Sequence, residues 1–248
     1  MSTAHDVIRE AYELGDLEEA LRLLKLHLRT HREDGRGWEL AGLIHYARGR
    51  VAVAVSAIER ASLLVPLSPA ARVCLTHGYI RIGKADLARD LMANLLQDPG
   101  LTAPLLLQVA TGLDAIRQPA MAMHAARKAM QLDGGLAQAY YDMGYYAARC
   151  GIPPEYTESL ARRAIALDPE NVGYRIGLVS HLLRFDRSDD AYRIVCRLAS
   201  PQIESIRCPN CLQRMIQVYR DAGDYRRVIV CQQRLLLLEA QGVHSDCA

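Results

Sequence analysis

The sequence is poor in the features that announce chemistry. It holds no glycine-rich phosphate loop, no His-Glu-x-x-His and no Gly-x-Ser-x-Gly. Those absences remove the patterns of P-loop nucleotide hydrolysis, zincin proteolysis and nucleophile-elbow hydrolysis. Large aromatics are scarce, with one Trp (Trp38) and one Phe (Phe185). Neither sign of charge dominates: 30 Lys plus Arg face 28 Asp plus Glu, a formal net charge of +2. Bulk charge therefore points to neither nucleic acid nor an anionic membrane. The start, "MSTAHDVIRE", has no basic end followed by an apolar run, so no secretory signal is expected. No apolar run reaches membrane-spanning length: "VAVAVSAI" meets Glu59 and Arg60, and "LTAPLLLQVATGL" is short and carries Gln108. The seven cysteines are odd in number and scattered. Without an export signal they are expected as reduced thiols, most of them small core residues, in a cytoplasmic protein.

What is present is repetition. A step of 34 residues carries Ala20 to Ala54, Ala88 and Ala122, and Gly15 to Gly49 and Gly83. The stretch "GRGWELAGLIHYARGRVAVAVSAIERASLLVPLS", residues 35–68, holds Trp38, Gly42, Gly49, Ala54, Ala61 and Pro66. Later segments keep the phase through Ala110, Ala129, Met143, Gly144, Gly151, Ala164, Pro169, Leu178, Ala191, Leu212, Met215 and Tyr219. "GIPPEY" adds one residue to the fifth segment, and Val228 replaces the small residue of the seventh.

This pattern resembles the tetratricopeptide repeat (TPR) family over nearly the whole chain. The repeats run 1–34, 35–68, 69–102, 103–136, 137–171, 172–205 and 209–242, and 243–248 is a short tail. The resemblance implies an all-α fold, a single right-handed superhelical solenoid of about seven helix-turn-helix repeats with a concave groove. The residues support it independently. Each repeat reads as two amphipathic helices with apolar residues three and four apart. Gly15, Gly49, Gly83, Gly151 and Gly223 fall where a helix must stop in a left-handed residue. All ten prolines fall at expected helix ends or first turns.

In that family the first helix of each repeat lines the groove. Carried over by position, the lining includes Arg36, Glu39, Tyr46, Val73, His77, Ile80 and Arg81, then Tyr141, Tyr145, Arg149, Ile176, Ser180 and Arg184. Arg81, Arg149 and Arg184 share one repeat position, a broken basic column, and Tyr141 and Tyr145 lie one turn apart. Tyr and Arg bring large area with directed hydrogen bonds. The surface suits a linear peptide with apolar and acidic side chains. The alternative is Arg solvated on helix surfaces, with Tyr packed between repeats. The chaperone-tail carboxylate clamp is absent, since His5 and Arg9 stand where it needs Lys and Asn.

"SIRCPNCLQ", residues 205–213, leaves three readings of Cys208 and Cys211 open. The first is structural, with Cys208 the N-cap and Pro209 the first residue of a helix. The second is metal, but zinc wants four ligands, and Cys196, Cys231, Cys247 and His244 form no second knuckle. The third is redox, with the helix dipole lowering the pKa of Cys208. Paired acids such as Glu18 and Glu19, or Asp189 and Asp190, sit in first turns, where they favour the dipole. In the last helix Val228, Cys231, Leu235 and Leu238 share an inward stripe. Leu236 and Leu237 lie off it, as a partly exposed end or a homodimer surface. The expectation is a non-enzymatic protein- or peptide-binding adaptor or scaffold, without cofactor, membrane or nucleic acid. The alternatives are a thiol- or metal-responsive regulator through Cys208 and Cys211, or a non-catalytic subunit of an enzyme complex.

Overall fold

Proline and short polar side chains open helices at the expected spacing. A computed structural model of the chain describes residues 4–242, with side chains from Asp6 onward. His5, His244, Cys247 and the tail 243–248 lie outside the described side chains. Fifteen α-helices, numbered in chain order, account for the regular structure, and no strand occurs among the described residues. The first helices of the hairpins are α1 (Ala4–Glu13), α3 (Gly35–Ala47), α5 (Pro69–Arg81), α7 (Ala103–Ala115), α9 (Ala137–Arg149), α11 (Val172–Leu183) and α14 (Pro209–Asp221). Their partners are α2 (Leu17–Thr30), α4 (Val51–Ser62), α6 (Ala85–Leu95), α8 (Pro119–Leu132), α10 (Pro154–Leu167), α12 (Ser188–Val195) with α13 (Ser200–Glu204), and α15 (Tyr225–Ala240). Asp16, Asp34, Ser68, Asn171 and Asp224 cap their helices, each accepting a backbone N–H from the first turn.

The hairpin turn sits at the fifteenth position of every repeat. Gly15, Gly49, Gly83, Gly151 and Gly223 all have positive φ, between 72 and 79°. The remaining two repeats place Arg117 (φ 59°) and Asp186 (φ 55°) in the same left-handed turn. No glycine marks those turns, so a residue-type search misses them. The extra residue of the fifth repeat is visible in α10, which starts one position later than its counterparts. The sixth repeat departs further: its second helix is broken into α12 and α13. Pro201 is the cause, because a continuing helix cannot accept its ring, and it occupies the first turn of α13.

The chain divides into two compact units, Met1–Leu132 and Asp133–Ala248. In the first, Ala20, Ala54, Ala88 and Ala122 have no exposed surface, which lets each hairpin close tightly. In the second, Ala191 and Val228 hold the equivalent position and are buried. Thr157 holds it in the fifth repeat, buried to 6% exposure with its hydroxyl unpartnered. The core of this unit centres on Leu178, Leu182, Leu212, Met215 and Tyr219. The Tyr219 hydroxyl donates to the Val195 carbonyl at 3.0 Å. On α15, Val228, Cys231 and Leu238 are buried and Leu235 packs against them, while Leu236 and Leu237 are 65% and 56% exposed.

Candidate peptide-binding groove

Three first helices of the second unit, α9, α11 and α14, surround a cavity of about 810 Å³. That is the size range of ligand clefts in general. Tyr141 and Tyr145 enter from α9, and Ile176, Ser180 and Arg184 from α11 and its C-terminal end. Cys211 and Arg214 enter from α14, with Ile206 and Arg207 from the segment before it. The Tyr141 ring packs against Gly177: a Cβ there would stand 2.3 Å from the hydroxyl. Only the missing side chain leaves room for the ring. Tyr141 also tilts against Tyr174, with centroids 5.1 Å apart. Tyr174 donates to Gln138 Oε1 at 3.0 Å, and the Gln138 amide donates to Asp142 Oδ1 at 2.6 Å. Burial pushes the Asp142 carboxyl up to about 6, with the Gln138 amide pulling it back. Burial likewise raises the Tyr141 phenol, and the neighbouring Asp142 adds to the effect.

Tyr145 is 47% exposed, with its edge on Tyr146 and the Arg149 guanidinium 5.8 Å above its face. Arg149 itself does not line the cavity. Arg214 donates to Ser180 Oγ at 3.0 Å, fixing one cation on the wall. Arg184, Arg207 and Arg214 face a single acid, Glu170, so the cavity carries an excess of positive charge. Arg207 and Arg214 escape the positional reading, since one lies between repeats and the other off the groove positions.

The groove positions of the first unit behave differently. Glu39 is buried, accepting from the Ser68 N–H at 3.0 Å and from Arg36 at 2.7 Å. It ties the start of α5 to α3. Val73 belongs to the core. The His77 ring meets the Gln108 carbonyl at 2.9 Å, and burial lowers its pKa below the usual histidine value. Arg81 is exposed and its guanidinium faces the Tyr46 phenol. Of the three column arginines, only Arg184 lines the cavity.

Cys208 is the N-cap of α14, and its sulfur accepts the Cys211 N–H at 3.2 Å. Cys211 is a free thiol, as are Cys74, Cys150, Cys196 and Cys231, so the expectation of reduced thiols holds at these five. Burial pushes the Cys211 thiol up, away from the thiolate. Among the described residues, no three His, Cys, Asp or Glu side chains gather to hold a metal ion, and no helix is long and apolar enough to cross a membrane.

No protein-family model and no curated protein sequence matches the chain. Solved structures do. PilF of Pseudomonas aeruginosa superposes with a TM-score of 0.65 at 14% identity, over 82% of this chain and 91% of that one. YrrB, described as a TPR protein with an unusual peptide-binding site, gives 0.56 at 15% identity, over 70% of this chain and 93% of its own. MamA of Desulfovibrio magneticus RS-1 gives 0.56 at 19% identity, over 68% and 94%. At such identities the likeness carries the architecture, and the fold of this chain is that of the tetratricopeptide-repeat proteins.

Proposed function

We propose that the chain is a non-enzymatic binding scaffold whose second unit docks a linear peptide bearing apolar and acidic side chains. The observation that carries this reading is the cavity of about 810 Å³ that unites Tyr141, Tyr145, Ile176 and Arg184 with Arg207 and Arg214. Its aromatic and aliphatic floor offers anchor pockets for apolar side chains. Its guanidinium groups offer forked donors to carboxylates. The half-exposed Tyr145 has two rotatable bonds, so little entropy is lost when a ligand covers it. YrrB, whose fold this chain shares, has a peptide-binding site, which supports the same use of the fold here. A thiol-based regulator is the weaker reading, because the free partner of the pair, Cys211, is held in its protonated form by burial. The expected location is cytoplasmic.

Affinity capture from a lysate, followed by mass spectrometry, tests the groove. The parent chain should retain a client that Tyr145→Ala/Arg184→Glu loses. Equal recovery by the two proteins removes the groove from the proposal. A linear peptide should bind in the micromolar range, about −8 kcal/mol.

A further inference from the structure

The first unit holds a second crevice, on a different face from the expected groove. It measures about 590 Å³ and lies between α2 and α3. Leu21, Leu24 and Leu28 of α2 form its floor with Ala41 of α3. Leu24, Leu28 and Ala41 are core residues, so the floor is rigid. Residues 38, 41 and 45 of α3, with Arg48 at its C-cap, face this crevice, roughly half a turn of the helix away from the groove positions 36, 39, 43 and 46. The crevice follows α2 from Leu21 to Arg29, about 12 Å at 1.5 Å per residue.

Its rim is nearly all of one sign. Five cations, Arg22, Lys25, Arg29, Arg48 and Arg50, border it against one acid, Glu18. Arg48 pairs with Glu18, and Arg22 pairs with Glu19 at 2.6 Å. Among the described residues, Lys25, Arg29 and Arg50 enter no ion pair. Lys25 and Arg29 stand one helical turn apart on one wall, and Arg50 stands on the other. The His45 ring lies inside, its pKa lowered by burial and then by Arg50 and Arg48, so both cations project their field into the crevice.

We propose that this crevice docks an acidic amphipathic segment of a partner protein, its leucine-like side chains on Leu21, Leu28 and Trp38 and its carboxylates on Lys25, Arg29 and Arg50. An apolar floor alone would accept any apolar chain. The unneutralised cations on both walls select an anionic one, and reject a basic segment by like-charge contact. The length of the floor fits two turns of helix, which present apolar residues at the same three- and four-residue spacing.

The probe is a fluorescein-labelled synthetic 12-residue helix with leucine on one face and glutamate beside it, carrying a benzophenone in place of one leucine. With the full chain it should crosslink, after illumination, to residues 21–29 or 38–48. Lys25→Glu/Arg29→Glu changes two exposed side chains and should weaken binding about ten-fold, with the crosslinks at α2 and α3 lost. A Glu/Ser version of the probe should bind about ten-fold more weakly than the Glu/Leu one. Crosslinks confined to residues 133–242, equal binding by the charge-reversed variant, or equal binding of the Glu/Ser probe would each overturn the proposal. The groove variant Arg184→Glu/Arg214→Glu should leave the α2 and α3 crosslinks in place, and their loss there would overturn it too.

Discussion

Asp142→Asn is expected to stabilise the protein at neutral pH, although it removes a carboxylate that accepts a 2.6 Å hydrogen bond. Burial lifts Asp142 from an ordinary 3.8 to about 6 in the folded chain. At pH 7.5 it is ionised in both states, and its charge is less well solvated when folded. Two units at about 1.4 kcal/mol each set a ceiling of about 3 kcal/mol for that cost. Asparagine keeps an oxygen to accept from Gln138 but adds an amide hydrogen that needs a partner, so the gain should be about 1–2 kcal/mol. The sign with pH follows from the raised folded value. The folded state binds the proton more tightly, so this group favours folding increasingly as pH falls through 6 towards 4. The half-buried His45 and His77, with lowered values, act in the opposite direction below pH 6.5. The carboxylates of Glu158 and Asp224, also lowered, lose their contribution at still lower pH. The difference between parent and variant cancels all of these. Urea unfolding followed by circular dichroism at pH 7.5, 5.5 and 4.5 should show the variant ahead at pH 7.5 and the gap closing towards pH 4.5. A variant weaker than the parent at pH 7.5, or a gap that ignores pH, would refute the reasoning.

Three further substitutions probe the repeat itself. Arg117→Gly should raise stability by about 0.5–1 kcal/mol in thermal or urea unfolding, because Arg117 holds a left-handed turn at φ 59° that glycine enters without steric cost. Thr157→Ala should raise it by about 1 kcal/mol, since the alanine that five other hairpins carry replaces a buried hydroxyl without a partner. Tyr219→Phe should lower it by about 1 kcal/mol in the same assay, removing the buried hydroxyl's hydrogen bond and leaving the Val195 carbonyl with the Leu198 N–H alone. No change in melting for Tyr219→Phe would mean that this hydrogen bond contributes nothing net.

The fold is legible because its constraints recur. A hairpin must turn in a left-handed residue and close on a small one, so glycine and alanine return every 34 residues and the helix starts follow. Where the turn is held by Arg117 or Asp186, residue type gives no sign of it. Packing of the flanking helices imposes the geometry, and a left-handed non-glycine residue costs only about 1–2 kcal/mol. Helix-face positions are legible for the same reason: Tyr141, Tyr145, Ile176 and Arg184 meet in one cavity because α9 and α11 keep the spacing. Glu39 and His77 sit at equivalent positions, yet their polar atoms are satisfied inside the first unit by Ser68 and Gln108. Position on a helix does not reveal a partner that another repeat supplies.

Arg207 and Arg214 show where periodic reading stops. Both follow the helix that Pro201 breaks, beyond which the 34-residue step no longer sets the chain's path. The other departures in the second unit lie close by: the late start of α10, Thr157 in place of alanine, and the short α12. A perfectly regular stack of hairpins fills its interior with alanine and leucine and leaves little that is chemically distinctive. The cavity is lined by Thr157 and by the segment between α13 and α14, both products of irregularity. Local rules are broken most readily where a structure is shaped for something other than stability. Restoring regularity at Thr157 should therefore strengthen the fold, while the cavity-lining arginines, which contribute little to packing, can be changed at small cost to stability.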